Sequence, residues 1–416
     1  GDLLRASVGV ERVISAQFAM EDGMVGFLEP TLALSERLGR GVDEIVRALH
    51  VARRAQASFD EARRERGREV LDQGFDRAAV ILGKPYNTHD GVLNLGLARI
   101  ADRLGLPAIP WDMLPLEDEP LGERWRSVPW HYNRMQLRAL QRIRRDERLF
   151  PVLVSSYGCG PDAFVSKHLE EMLADMPRLL LEFDEHRAEA GLQTRLEAFV
   201  DEIEAHQTEG AGTAEARRRD GGGGPRQERV TPGSPAQPTG RRFLVPRFAD
   251  HAEVYAATLR AAGEEALTLP EVDEETIRLG EEASSGRECH PHAILVGEMC
   301  RAAQRIDLRD DDVFLSVSCV TPCLLRQYGD SFRIISQRTG LDLEVWDAAM
   351  RELWQIVGTQ RMLSLYEGLL AVDVLSALAQ RLAPYVDDRQ ALETARREAL
   401  SAIARRIESG EWAASS

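Results

Sequence analysis

The sequence predicts an α/β protein of two open parallel-sheet domains, flavodoxin-like or Rossmann-like, with helical segments at either end. Three observations carry that expectation. Short apolar, β-branched runs such as AAVILG, FPVLVSS and VFLSVS recur between loop residues, as strands buried on both faces do. Helix-period segments separate those runs, and alternating strand and helix is the pattern of a parallel sheet covered by helices. A stretch almost free of apolar residues, 207–240, divides the pattern into two halves of similar plan.

The 416 residues suit two or three domains, each able to bury a core. A content of 44% hydrophobic and 29% charged residues is that of a soluble globular chain. Lys and Arg number 52 against 68 Asp and Glu, net −16, which argues against a nucleic-acid or anionic-membrane binder. No run reaches the roughly 18 to 20 consecutive apolar residues of a membrane helix, and no charged-then-apolar signal peptide opens the chain. A cytoplasmic protein without membrane contact is therefore expected. The chain opens on Gly1, so it is expected to be a piece of a longer one or to follow a trimmed tag.

Residues 1–70 form the N-terminal helical segment, with Leu38, Ile45, Leu49 and Ala52 at helical spacing and charges filling the other faces. Residues 71–206 form the first α/β domain. Its strands are AAVILG, a short one at Leu106 to Ile109, FPVLVSS and RLLLEFD. Its helices run from Val92 to Leu104, from Tyr132 to Arg145, from Ala163 onward, and from Gly191 to about His206. Residues 207–240, with a run of four glycines and four prolines, read as a disordered linker. Residues 241–347 form the second α/β domain, with strands RRFLVPRF, EALTLP, VFLSVS and LDLEVWD and helices in DHAEVYAATLRAAG, PHAILVGEMCRAAQR and LLRQYGDSFRIISQRTG. Residues 348–416 are C-terminal helices.

Five cysteines, Cys159, Cys289, Cys300, Cys319 and Cys323, are an odd number absent from the first 158 residues, which does not suit a disulfide scaffold. Loops at the carboxyl ends of parallel strands form the ligand crevice of such sheets. Cys159 follows FPVLVSS, Cys319 and Cys323 follow VFLSVS, and Cys289 directly precedes a helix, so four of the five are expected at helix N-termini, where free N–H groups favour the thiolate. In YGCGP, glycine on both sides of the thiol lets backbone approach a bulky ligand, and proline suits the first helical turn; GRECHP and TPC carry similar punctuation. A plain turn residue is the other reading of each. Zinc sites announce themselves by short-range Cys pairs. Candidates spread over three loops fit a tertiary site, and iron–sulfur clusters are also held by thiolates. A cluster with three protein cysteines leaves one iron open. His290 and His292 could add ligands, although surface histidines beside a helix start are the commoner case. Cys300, in a helical pattern beside Met299, reads as a small buried hydrophobe.

After the first strand comes GKPYNTHDG, which matches neither phosphate-loop nor dinucleotide spacing. Lys84, Tyr86, Asn87 and His89 are candidate cleft residues for a phosphate or carboxylate, with a hydrogen-bonded turn as the alternative.

GKPYNTHD, IPWDMLPL, SSYGCGPDAFV and LLLEFDEHRAEAGLQTRLEAF resemble blocks of the 2-hydroxyacyl-CoA dehydratase activase-related proteins, the CoA-substrate-specific enzyme activases. In that family the blocks read roughly GRPYN-x-HD, P-x-D-x-LP, N-x-GCGPDSF and E-x-DEH-x-AD-x-G-x-x-TR-x-EAF. FLVPRFADHA, SSGRECHPH and TPCLLRQY are similar to the family's strand leading to DH, SGKECYP loop and GPCRFGQY loop. The resemblance runs from about Arg37 to Asp347. It implies kinship with dehydratase cluster subunits and double-cubane cluster proteins. The implied cofactor is a 4Fe-4S or double-cubane cluster held by Cys159, Cys289 and Cys323, with no family role for Cys300 or Cys319. The implied partner is an ATPase activator domain or subunit of the actin/sugar-kinase superfold, supplying low-potential electrons, and a homodimer is open to such a chain. The sequence departs from the family at TPC for GPC, at Lys84 for arginine, and at His290 and His292 for aromatics. The expected function is thus an iron–sulfur electron-transfer component with its cluster in the interdomain cleft. The rival is a non-catalytic scaffold that binds the ATPase without a cluster.

Overall fold

A computed structural model describes residues 6–9, 13–16, 18, 25–117, 119–122, 125, 127–184, 189–217, 240–319, 321, 323–341 and 343–410. The chain divides into two compact units, residues 1–75 with 112–115, and residues 76–111 with 116–416.

In the first unit, the helical pattern expected over Leu32 to Leu71 is two helices, α1 (Val25–Leu38) and α2 (Val42–Asp72). Gly39, at φ +61°, ends α1 in the left-handed conformation that glycine adopts without strain. The Glu44 carboxylate accepts from the Gly41 N–H at 3.2 Å and starts α2. Three-residue Arg–Glu pairs such as Arg64–Glu61 and Arg68–Glu65 lace its exposed face. Its inner face approaches 112–115 closely. Arg63 pairs with buried Asp112 at 2.6 Å, and a Cβ on Gly67 would lie 1.7 Å from the Met113 carbonyl oxygen.

The second unit contains both sheets. The first half runs β1 (Ala78–Gly83), α3 (Pro85–His89), α4 (Leu97–Arg103), β2 (Ala108–Pro110), α5 (His131–Ile143), β3 (Leu149–Ser156), α6 (Gly160–Met172), β4 (Leu179–Phe183) and α7 (Glu189–Arg217). The second runs β5 (Arg242–Val245), α8 (His251–Ala261), β6 (Glu265–Thr268), α9 (Glu274–Ala283), α10 (His290–Arg305), β7 (Asp312–Val317), α11 (Tyr328–Thr339), β8 (Glu344–Ala348), α12 (Met350–Leu382) and α13 (Arg389–Glu408).

The two four-stranded sheets have the same order, β2-β1-β3-β4 and β6-β5-β7-β8, and every pairing is parallel. The fold is therefore the expected α/β arrangement, with the two halves alike in topology as well as in plan. Every residue of β1 is buried, which is why AAVILG reads as a continuous apolar run rather than an alternating one. One face of the first sheet packs Ile81, Val152 and Val154 against Leu97 of α4 and Leu196 and Phe199 of α7. In the second sheet, Phe243 and Leu315 pack toward α8, α12 and α13, and Leu244 and Phe314 toward α10 and α11.

Several boundaries differ from the sequence reading. Helix α7 continues past His206 to Arg217, so the first part of the expected linker is helical, and 218–239 lies outside the described residues. Residues 91–96 form turns before α4, with Gly96 at φ +69°. The additional α9 is fixed by the Asp273 carboxylate, which accepts from the Thr276 N–H at 2.9 Å. It crosses α10 through two glycines, since a Cβ on Gly280 would sit 1.9 Å from Ala293 O and one on Gly297 1.9 Å from Thr276 O. Finally, one segment among the described residues, Met350–Tyr385, is apolar enough in length and mean composition to cross a membrane, although it holds no run of 18 consecutive apolar residues.

Candidate functional site

Register positions the site. Pairing of Gly83 with Val154 brings the carboxyl ends of β1 and β3 side by side, so the residues after each strand share one edge. Gly83 is required there because a Cβ would lie 2.5 Å from Val154 O. Its own carbonyl accepts from Trp111 Nε1 at 2.7 Å. Beyond β3, Gly158 at φ +70° turns the chain so that Cys159 becomes the N-cap of α6, followed by Pro161 in the first turn.

Lys84 and Cys159, predicted separately, meet in this arrangement. Lys84 Nζ lies 2.8 Å from Cys159 Sγ and 2.8 Å from Asp162 Oδ1. Asp162, buried, also accepts from Asn133 Nδ2 at 2.9 Å and Ser155 Oγ at 3.0 Å. Burial pulls the Lys84 ammonium down, but the Asp162 charge and the hydrogen bonds to Asp162 and Cys159 outweigh it and hold Lys84 above its ordinary value. At Cys159 the balance is reversed from the simple helix-end expectation. Burial pushes the thiol up by more than the Lys84 hydrogen bond lowers it. Asn87, buried, bonds Ser156 Oγ at 3.2 Å and ties α3 to the end of β3. The Tyr86 and His89 side chains are exposed.

In the second half, Gly286 at φ +78° precedes Cys289, the N-cap of α10. Cys289 Sγ lies 2.7 Å from Tyr328 Oη. Burial first, and that contact second, push the Tyr328 hydroxyl above its ordinary value. Cys323, exposed, caps the 3₁₀ turn Leu324–Gln327 that leads into α11. Cys319 lies beyond β7 near Thr321 and is not at a helix N-terminus, which corrects that expectation. Cys300 is half-buried against the second core, as its apolar neighbours predict.

Two contacts bring the three cysteine loops together. A Cβ on Gly160, the residue after Cys159, would lie 2.7 Å from Leu324 Cδ1, the residue after Cys323. The Phe164 ring of α6 stacks on Tyr328 with centroids 5.5 Å apart, and Tyr328 contacts Cys289. All five cysteines are free thiols. Among the described residues no three His, Cys, Asp or Glu side chains gather to hold a single metal ion.

Behind the cysteines is a buried polar network that sequence reasoning missed. Lys167 Nζ lies 2.7 Å from Glu288 Oε1, with side chains 2% and 1% exposed, and it also donates to Ser331 Oγ. Ser331 in turn meets His292 Nε2 at 2.9 Å. His292 is fully buried between Phe332 and Phe164, not a surface histidine, and burial first and the Lys167 charge second drive its pKa down to about 3. Glu288 stands beside Cys289 and Lys167 is on α6, so the pair links the two halves behind the cysteines. A charged residue next to each cysteine block was the available signal, but charges beside helix starts are common for other reasons.

No curated protein and no solved structure matches the chain. Residues 2–114, which take in both N-terminal helices, β1, the GKPYNTHD loop and β2, match the family model described as the CoA enzyme activase uncharacterised domain. The SGRECHPH and TPCLLRQY loops lie outside the matched stretch. That matched stretch, about a quarter of the chain, agrees with the resemblance of the GKPYNTHD block to the 2-hydroxyacyl-CoA dehydratase activase-related proteins.

Proposed function

We propose that the chain is the iron–sulfur component of an ATP-dependent, low-potential electron-transfer system of the acyl-CoA dehydratase activase type. Cys159, Cys289 and Cys323 would be its protein ligands, and an ATPase of the actin/sugar-kinase superfold its electron donor. The observation that carries the reading is that three free thiols, each capping a helical turn, come from loops joined through Gly160–Leu324 and Phe164–Tyr328.

The donor set fits the group chemically. All three donors are thiols, the ligand class that iron–sulfur clusters take. Each cysteine of a cluster binds a different iron, so the thiols need not converge on one point as they would around a single ion. When bound, the cluster would supply one-electron transfer at low potential. The chain's own residues do the rest. Lys84 orients Cys159 against Asp162, Tyr328 holds the Cys289 sulfur by a hydrogen bond, and the buried Phe164 ring keeps water from the inner side.

The cluster-free scaffold reading has one observation in its favour, that the Lys84 ammonium already gives Cys159 a positive partner. Iron and acid-labile sulfide, measured after anaerobic purification, separate the two readings. Stoichiometric iron with matching sulfide supports the redox component; neither, after reconstitution with ferrous iron and sulfide, supports the scaffold.

A further inference from the structure

Helix α12 buries one face and leaves the other bare. Leu365, Gly368 and Val372 face inward, with Gly368 so close to Val254 and Ile407 that a Cβ there would lie within 2.8 Å of both. On the outside, Leu363, Tyr366, Leu370, Val374, Leu378, Leu382 and Tyr385 are between 48% and 86% exposed. Their spacing is regular. At about 100° per residue, the six within α12 lie within about 80° of Val374, with Leu370 and Leu378, and Tyr366 and Leu382, evenly on either side of it; Tyr385 follows in the 3₁₀ turn Ala383–Tyr385.

We propose that this stripe is a two-fold interface with a second copy of this chain, the two α12 helices crossing antiparallel at Val374. The symmetry is written in the residues. Reversal about Val374 sets Leu370 against Leu378 and Tyr366 against Leu382 of the second copy, so each contact is repeated and apolar. The same operation sets Glu367 against Arg381, opposite charges close to the centre line of the stripe, and neither has an ion-pair partner among the described residues. A parallel pairing in register would instead oppose Glu367 to Glu367. Area also suits. Covering seven large side chains that are about half exposed removes roughly 700 Å² per copy, about 1,400 Å² in all, the range of stable protein interfaces. A net charge of −16 disfavours an anionic lipid surface as the occupant.

The test is sedimentation velocity of the whole chain at micromolar concentration, with circular dichroism as the check on folding. The wild type is expected at twice the 46.4 kDa chain mass. L370E with L378E, exposed positions that leave the inner face intact, gives folded monomer. E367R and R381E singly raise the dissociation constant at least tenfold, and E367R combined with R381E restores the dimer. A monomeric wild type, or a dimer indifferent to these four changes, overturns the proposal. So does a monomer that binds neutral phosphatidylcholine vesicles through the stripe.

Discussion

Lys84 Nζ lies 2.8 Å from both Cys159 Sγ and Asp162 Oδ1, so a single ammonium from the loop after β1 joins the thiol and the carboxylate that open α6. The contact depends on adjacent parallel strands ending at the same level, since Gly83 and Val154 are paired in register. It has an energetic consequence that can be measured. Lys84→Met leaves Asp162 with two neutral donors, Asn133 and Ser155, and no counter-charge. We expect a loss of about 2–4 kcal/mol, somewhat under the full cost of stranding a buried charge because those donors remain. Urea unfolding measures it, and Asp162→Asn in the Lys84→Met background should return part of the loss.

The Lys167–Glu288 pair is the more deeply buried one, and its partners come from different halves of the fold. Lys167→Met alone is expected to cost about 2–4 kcal/mol, because Glu288 keeps only two neutral donors, Ser285 N–H and Oγ, and loses its counter-charge. Adding Glu288→Gln removes that charge, so the double variant should be more stable than Lys167→Met alone. A double-mutant cycle by denaturant titration reads the coupling. Simple additivity would show that the pair does not hold the halves together.

Glu298 gives a pH signature. Burial pushes its carboxyl up to about 7, against the pull of the Arg247 N–H and charge. The folded state thus keeps a proton that the unfolded state loses near the ordinary carboxylate value. From Glu298, stability is greatest below about pH 4.5, falls as pH rises, and levels off above about 7, a loss of about 3 kcal/mol. Glu298→Gln cannot ionise, so wild type and variant should diverge steadily between these limits, with the variant favoured at pH 7. Parallel unfolding curves with a constant difference across that window would refute the assignment.

The crossing of α9 and α10 leaves no room for a methyl group. Gly297→Ala places its Cβ against the Thr276 carbonyl, a backbone atom that cannot swing aside, and we expect at least about 3 kcal/mol of destabilisation. Gly263→Ala meets nothing within 4 Å and is strained only by its φ of +91°, so it should cost less. Thermal melts of the two variants give the comparison.

Much of this was legible in the amino-acid sequence, and the reasons are local. The central strands β1, β3 and β7 are buried throughout or nearly so, so β1 reads as an unbroken apolar run, β3 as one ending in two serines and β7 as one interrupted by Ser316. Cys159 and Cys289 carry glycine before them and proline after, and both are N-caps. What escaped is what depends on distant pairing. Lys84 and Asp162 are brought together only by strand register, and Lys167 and Glu288 only by packing of the two halves. His292 reads as polar and turns out to be enclosed by aromatic rings from α6 and α11. Helix α9 begins in the acidic run VDEETIRLGEEA, whose first turn is set by a cap and whose packing depends on glycine rather than on an apolar stripe.

Which sulfurs hold iron is read by the iron content of five single Cys→Ala variants purified anaerobically beside the wild type. Cys159→Ala, Cys289→Ala and Cys323→Ala are each expected to lose most of the bound iron, while Cys300→Ala, against the core, and Cys319→Ala, away from any helix N-terminus, retain it. Full iron retained in Cys159→Ala, or a wild type that binds none, would contradict this ligand set.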